Sequence, residues 1–392
     1  MEHSFHVGTY DFHPESNINF QLNRQISLGG GRMEDIRAVS PKIKNLDDWK
    51  REFLALARLA EQEERWKHAA SYYRGAEFFM TPGDPDKEWA YDQAAALFEK
   101  IVGADLDSGA LVVEAAPYEK SRLPVFRLPA PERMQSKGTI LLHGGYDSSK
   151  EELYPSADFV RKQGYDVYLF EGPGQGEALV KNGLNMTHEW EKPVGAVLDH
   201  YGLEGVALVG ASLGGCLAPR AAAFEPRIKR VVAWGVMYDF FEVLTSVRGK
   251  AMEIGMKSLI ALRAKKALNR MAALRMERDP FAKWGINHGM FVMGKPTPYD
   301  FLQYARNFSM KGVSGKVKQD FLLLAGTRDH FIPLDHYHRQ ARELTNVRSF
   351  TGRIFTEAEQ AENHCQCGNI PLVFNVINEW MNGLDQRDGD FF

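Results

Sequence analysis

Over its 392 residues the chain is 44% hydrophobic and 25% charged, the composition of a globular protein with enough apolar material for one large or two moderate domains. Its 48 Lys and Arg nearly balance 51 Asp and Glu, and the formal charge of −3 offers no field to nucleic acid or to an anionic membrane. Three cysteines, Cys216, Cys365 and Cys367, are too few for a disulfide framework and fit a reducing compartment.

Residues 1–16 carry neither the basic nor the apolar stretch of a signal peptide, and no apolar run reaches membrane-spanning length. A soluble, cytoplasmic protein with no nucleic-acid or membrane partner is the expectation. Residues 1 to 44 read as irregular, with Gly29-Gly30-Gly31 among them. From Leu46 the pattern turns helical: Trp49, Phe53, Leu56 and Ala60 recur at helical spacing. A second helix, 63–80, has a small-and-aromatic face of Trp66, Ala69, Ala70, Tyr73 and Ala76, and ends at Thr81-Pro82-Gly83-Asp84-Pro85. A third follows over 87–102. Residues 1–105 are therefore expected to form an irregular and helical N-terminal region packed on the main body, with a peptide-binding module as the rival reading. Their aromatics could wall a substrate pocket, pack internally or serve a homodimer contact.

After Gly103 the period changes. Residues 111–114 and 124–128 read as two strands around a turn at 119–122. Apolar runs at 139–142, 167–170, 206–209, 231–234, 321–324 and 349–355 then alternate with helical segments. Such strands predict an α/β fold with a mostly parallel central sheet covered by helices on both faces. Chemistry in such sheets sits at the carboxyl ends of the strands.

The residues just past those ends carry the reactive side chains. Gly210-Ala211-Ser212-Leu213-Gly214 closes an apolar strand and opens an alanine-rich helix, which raises the Ser212 hydroxyl on a sharp turn. Gly210 and Gly214 let strand and helix approach closely. A serine attacks a carbonyl only when a base removes its proton. His364, past the last strand, is the candidate base, and Asp329 or its rival Asp239 the acid that orients it. His364-Cys365-x-Cys367 also reads as a metal-ligand set, but it lacks a fourth ligand and the usual spacing. The loop His143-Gly144-Gly145-Tyr146 can aim backbone N–H groups at an oxyanion. The glycine-rich segment 171–177 has neither G-x-G-x-x-G spacing nor a phosphate-loop lysine. Neither a cofactor nor a metal is expected.

The chain order Ser212, Asp329, His364, with Asp329 in Gly-x-x-Asp-x-x-Ile-Pro, resembles the α/β-hydrolase superfamily over residues 111–384. The resemblance implies Ser212 as nucleophile, His364 as base and Asp329 as acid. It also implies an oxyanion hole made by the Leu213 N–H and one from the His143 loop, Gly145 first and Tyr146 second.

Residues 240–317 lack strand signals and read as helices, with 244–274 as one long Met-rich helix whose basic face is Arg263, Lys265, Lys266 and Arg270. Trp284, His288, Met290, Phe291 and Met293 follow. α/β-Hydrolases commonly insert a lid at this position, which implies a core at 106–239 and 318–392 and a helical lid over 240–317. The methionine and aromatic stripe either faces an apolar or aromatic small-molecule substrate or is the lid's own core. The N-terminal helical region, the lid and residues 145–152 are similar to the 2,6-dihydroxypseudooxynicotine hydrolase-like group, which cleaves acyl or carbon–carbon bonds of 1,3-dicarbonyl compounds. In that group an acidic residue after the first central strand assists catalysis. Asp147 matches that position, as Asp in place of the longer Glu, and joins Tyr146 as a candidate substrate-binding residue; its other reading is a loop-capping carboxylate. The expected function is a serine hydrolase acting through an acyl-enzyme on an ester, thioester or activated ketone. The alternatives are a carbon–carbon bond hydrolase or cyclase on a 1,3-dicarbonyl compound, and a non-catalytic binding scaffold.

Overall fold

The computed structural model describes residues 5–28, 30–246 and 249–389. Outside the described residues lie 1–4 of the segment read for a signal peptide, Gly29 of the glycine triplet, Val247 and Arg248 of the expected 244–274 helix, and 390–392 of the expected core.

Eight strands make one sheet: β1 Val112–Tyr118, β2 Ser121–Leu128, β3 Thr139–His143, β4 Asp166–Phe170, β5 Val206–Ala211, β6 Ile228–Trp234, β7 Asp320–Gly326 and β8 Ser349–Phe355. Their order is β1-β2-β4-β3-β5-β6-β7-β8. The β1–β2 hairpin pairs antiparallel, β2 runs antiparallel to β4, and every later pairing is parallel. The chain therefore has the mostly parallel sheet that its apolar runs predict.

The two-residue period of a strand sends alternate side chains into two different cores. Leu141, Val206, Leu208, Val231, Phe321 and Leu323 bury on one face. Ile140, Leu142, Ala207, Val209, Val232 and Leu322 bury on the other. With both sides covered, a strand such as β5 is buried along its whole length, and this is why it reads as a continuous apolar run.

Three expectations change. Residues 1–44 are not irregular throughout: helices run over Ser16–Ser27 and Met33–Val39. The first is capped by Glu15, which accepts from the Ile18 N–H, and buries Ile18, Leu22 and Ile26. Gln21, Asn23, Arg24 and Gln25 are buried as well, so the narrow apolar stripe has no solvated polar face to set it off. Residues 244–274 are not one helix either. They fall into Phe240–Ser246, Lys250–Ala261 and Lys265–Arg278, and left-handed Arg263 (φ 52°) separates the last two. The 63–80 helix spans only Trp66–Phe78.

The N-terminal helices bury Trp49, Phe53, Tyr72 and Phe79 in a third core, and Phe281 and Trp284 of the Pro280–Val292 helix pack against it. Trp284 stacks on Phe78 at 5.3 Å and donates its indole N–H to the Phe78 carbonyl at 3.0 Å. The Leu46–Gln62 and Trp66–Phe78 helices and the Pro280–Val292 helix thus join in one core. Among the described residues, no helix is long and apolar enough to cross a membrane.

Candidate active site

Ser212 follows β5 and precedes the Gly214–Ala222 helix, and its backbone is left-handed (φ 61°). For a residue with a Cβ that conformation is strained, and it is pinned here by the Ser212 N–H donating to the Trp234 carbonyl at 2.8 Å. The close crossing needs Gly210: a Cβ there would fall 2.2 Å from the Gly214 carbonyl oxygen.

The other two candidate triad residues converge on this turn. His364 Nδ1 lies 2.7 Å from Asp329 Oδ2, and His364 Nε2 lies 2.8 Å from Ser212 Oγ. A carboxylate only accepts, so Nδ1 carries the proton and Nε2 accepts from the serine hydroxyl. Asp329 Oδ1 accepts from the Phe331 and Ile332 N–H groups, both at 2.9 Å, and this fixes the carboxylate in its loop. Burial alone would raise the Asp329 pKa, but the facing imidazole and the two amides outweigh it and hold the carboxyl below its ordinary range. For His364, burial opposes the charged form while the Asp329 carboxylate favours it, and the balance lies well above the ordinary 6.5. The rival acid Asp239 lies elsewhere, accepting from the Glu242 N–H at 3.0 Å. His330 packs its ring on Phe20 and Phe331.

Both nitrogens of His364 are used by Asp329 and Ser212, while Cys365 Sγ points to the Trp234 carbonyl. Among the described residues, no group of three or more His, Cys, Asp or Glu side chains is arranged to hold a metal ion.

The loop after β3 reaches the same place. A Cβ on Gly145 would lie 2.6 Å from the Leu213 nitrogen and 2.9 Å from Ser212 Cβ, so only glycine permits this approach. The Gly145 N–H, expected first as an oxyanion donor, donates to Ser148 Oγ at 3.1 Å. The backbone of this loop is held from outside. Gln175 donates from Nε2 to the Gly144 and Gly145 carbonyls at 2.8 and 2.9 Å, and buried His143 bonds the Gly144 carbonyl at 2.8 Å. Trp190 donates to the other His143 nitrogen at 3.2 Å. Burial brings His143 down to about 4, so the ring is neutral, with one nitrogen donating and the other accepting.

Asp147 is one residue beyond Tyr146. Its Oδ1 faces Arg24 at 3.6 Å, and its carbonyl accepts from Arg74. Both arginines also pair with Glu152, at 3.2 Å for Arg24 and 3.1 Å for Arg74, and Glu152 closes a capping box with Ser149. Phe20, from the same helix as Arg24, lies edge-on to the His364 ring at 6.1 Å.

Sequence reasoning missed Phe20, Arg24, Arg74 and Gln175. Gln175 sits in the glycine-rich segment 171–177, and its signal was a polar side chain in an otherwise glycine and proline turn. The arginines left no signal, because their partners are distant in sequence.

Comparison with known proteins bears on this geometry. A family model described as the α/β-hydrolase fold matches residues 140–365. The chain is 29% identical over 375 residues to the hydrolase acrC of Aspergillus aculeatus, covering 83% of this chain and 86% of that one. It is 34% identical over 282 residues to the 20-hydroxy-prefusarin hydrolase FUS2 of Gibberella moniliformis, covering 67% of this chain and 66% of that one. The solved 2,6-dihydroxy-pseudo-oxynicotine hydrolase superposes with a TM-score of 0.68 at 20% identity, over 92% of this chain and 94% of its own, a likeness of fold.

Proposed function

We propose that this chain, which belongs to the α/β-hydrolase family and is a hydrolase, uses Ser212, His364 and Asp329 as a catalytic triad on an ester, thioester or activated ketone. The observation that carries the reading is the unbroken hydrogen-bonded path from Asp329 through His364 to a serine on a strained turn.

In this reading Ser212 Oγ attacks the substrate carbonyl carbon as its proton passes to His364 Nε2. Asp329 holds the tautomer and stabilises the imidazolium. The tetrahedral oxyanion accepts from the Leu213 N–H and from the loop after β3. With the Gly145 N–H turned to Ser148, the Tyr146 N–H is the better second donor in that loop. Each such donor lowers the barrier by roughly 2.7–4 kcal/mol. Collapse expels the leaving group, which takes the proton from His364, and water repeats the sequence to release the acid. Residues 240–317 act as the lid and residues 1–105 complete its wall, over a substrate that is apolar or aromatic. Asp147, paired with Arg24, anchors the loop in place of serving as an added acid.

A fluorophosphonate probe followed by peptide mass spectrometry is expected to modify Ser212. Ser212→Ala is expected to abolish that label and to lower turnover on the order of 10⁶-fold. Undiminished turnover in that variant would refute the reading.

A further inference from the structure

The net charge of −3 conceals a local reversal. Residues 250–278 comprise the Lys250–Ala261 and Lys265–Arg278 helices and the turn between them. They hold eight Lys and Arg against two Glu, so the remainder of the chain carries the excess acid. Each helix turns one side inward: Ile260 and Leu268 pack with Phe241 and Tyr299 in a small core of their own. The other side of each is apolar as well as basic. Ile254, Ser258 and Leu262 follow at four-residue spacing on one face of the first, and Ile254 and Leu262 are 62% and 78% exposed. Met271, Leu274 and Arg278 share a face of the second, and all three are exposed.

The cations stand among these aliphatic side chains, and half of them are uncommitted. Lys257, Lys265 and Arg275 pair with Glu253, Asp300 and Asp279. Exposed Arg263, Lys266, Arg270 and Arg278 have no carboxylate partner among the described residues. A single exposed leucine is ordinary on a protein surface, but several interleaved with unpaired cations restrict what can cover them. A second copy of this chain would bring like charges face to face once the apolar sides met. A nucleic acid would neutralise the cations but would find no ring to stack a base on, because residues 250–278 contain no Phe, Tyr or Trp. An anionic bilayer meets both requirements: headgroup phosphates take the cations, and the acyl boundary beneath them takes the aliphatic side chains. The acidic remainder of the chain is repelled by the same surface, so the approach is oriented.

We propose that the outer face of these two helices is a docking surface for an anionic lipid bilayer, lying in the headgroup plane without crossing it. The whole-chain charge predicts no membrane partner because it averages this face away. The proposal does not depend on the role of Ser212.

The test is co-sedimentation of the full chain with vesicles of equal parts phosphatidylglycerol and phosphatidylcholine, and with vesicles of phosphatidylcholine alone. Wild type is expected to sediment with the mixed vesicles, less so at high salt, and to stay in solution with phosphatidylcholine. The double variants Lys266→Gln with Arg270→Gln, and Ile254→Ser with Leu262→Ser, are each expected to weaken binding to mixed vesicles roughly tenfold or more. Their melting temperatures should match wild type, since all four side chains are exposed. Wild type left in solution with mixed vesicles, equal binding to both vesicles, or undiminished binding by either double variant would overturn the proposal. Sedimentation velocity without lipid decides the rival occupant: a wild-type dimer that Ile254→Ser with Leu262→Ser converts to monomer would assign the face to a second copy and overturn the proposal as well.

Discussion

Three of the seven left-handed residues with a side chain among the described residues belong to the candidate site: Ser212 at φ 61°, then Cys365 and Gln366 at 49° and 51° directly after His364. Each such residue costs on the order of 1–3 kcal/mol and persists only where its surroundings overdetermine it. Here the surroundings are the Trp234 carbonyl, which holds Ser212, and the indole of Trp234, which donates to the Cys365 carbonyl at 3.1 Å. The same residue thus braces both ends of the Ser212–His364 contact. The imidazole must lose its Nε2 proton before it can accept the serine's, and Asp329 holds its pKa above 6.5. Reactivity is therefore expected to be lost as pH falls through that raised value. The rate of fluorophosphonate labelling against pH should show an acid limb centred above 6.5, and Asp329→Asn should shift the limb down and slow labelling about 10⁴-fold. A wild-type limb at or below 6.5 would contradict the pairing. The sign for stability is opposite: a raised folded pKa contributes stability below the unfolded value and loses it as pH climbs through the folded one.

The Ser16–Ser27 helix shows what an element can hide from sequence. Nine of its 12 residues are buried, among them Gln21, Asn23, Arg24 and Gln25. Asn23 bonds the Tyr10 carbonyl, Gln25 accepts from Ser71, and Arg24 faces Glu152 and Asp147. An amphipathic pattern presumes that burial means apolar, and this helix buries polar groups by pairing them across long sequence distances. Arg24→Met is expected to destabilise the protein by about 3 kcal/mol, because it leaves two carboxylates short of a partner. Denaturant unfolding measures that cost. A variant as stable as wild type would show that Arg74 alone neutralises the pair. By contrast, all eight strands were legible, although β1, β2 and β6 extend three or four residues beyond the runs that mark them. Parallel strands buried on both faces need continuous apolar runs, and that requirement is local.

At the scale of the molecule, the N-terminal helices and the Pro280–Val292 helix share one core, although about 200 residues separate them in sequence. The intervening Lys250–Ala261 and Lys265–Arg278 helices are different. They and the turn between them expose Met252, Ile254, Leu262, Met271 and Leu274, and bury only Ile260, Leu268 and Ala272 among their apolar side chains. Local opening follows buried contact. Amides of the Pro280–Val292 helix are therefore expected to exchange with those of Leu46–Gln62 and Trp66–Phe78, and more slowly than those of 250–278. Equal protection across 250–292 would show that the whole segment moves as one body.

What the sequence determined by itself is whatever short-range physics imposes. The two-residue and 3.6-residue periods mark strands and helices, the sharp turn requires Gly210, and the order Ser212, Asp329, His364 follows the strand ends. The Gly-x-x-Asp-x-x-Ile-Pro context pointed to Asp329 ahead of Asp239, and it is Asp329 that lies against His364. The Gly145 amide, taken by Ser148, and the scaffolding of its loop by Gln175 and His143 needed distances. The pairing of Arg24 with Asp147 depends on segments brought together only by burial of the third core. Hydrogen bonds and charges act over a few ångströms in space and carry no period along the chain, so only the tertiary structure could decide them.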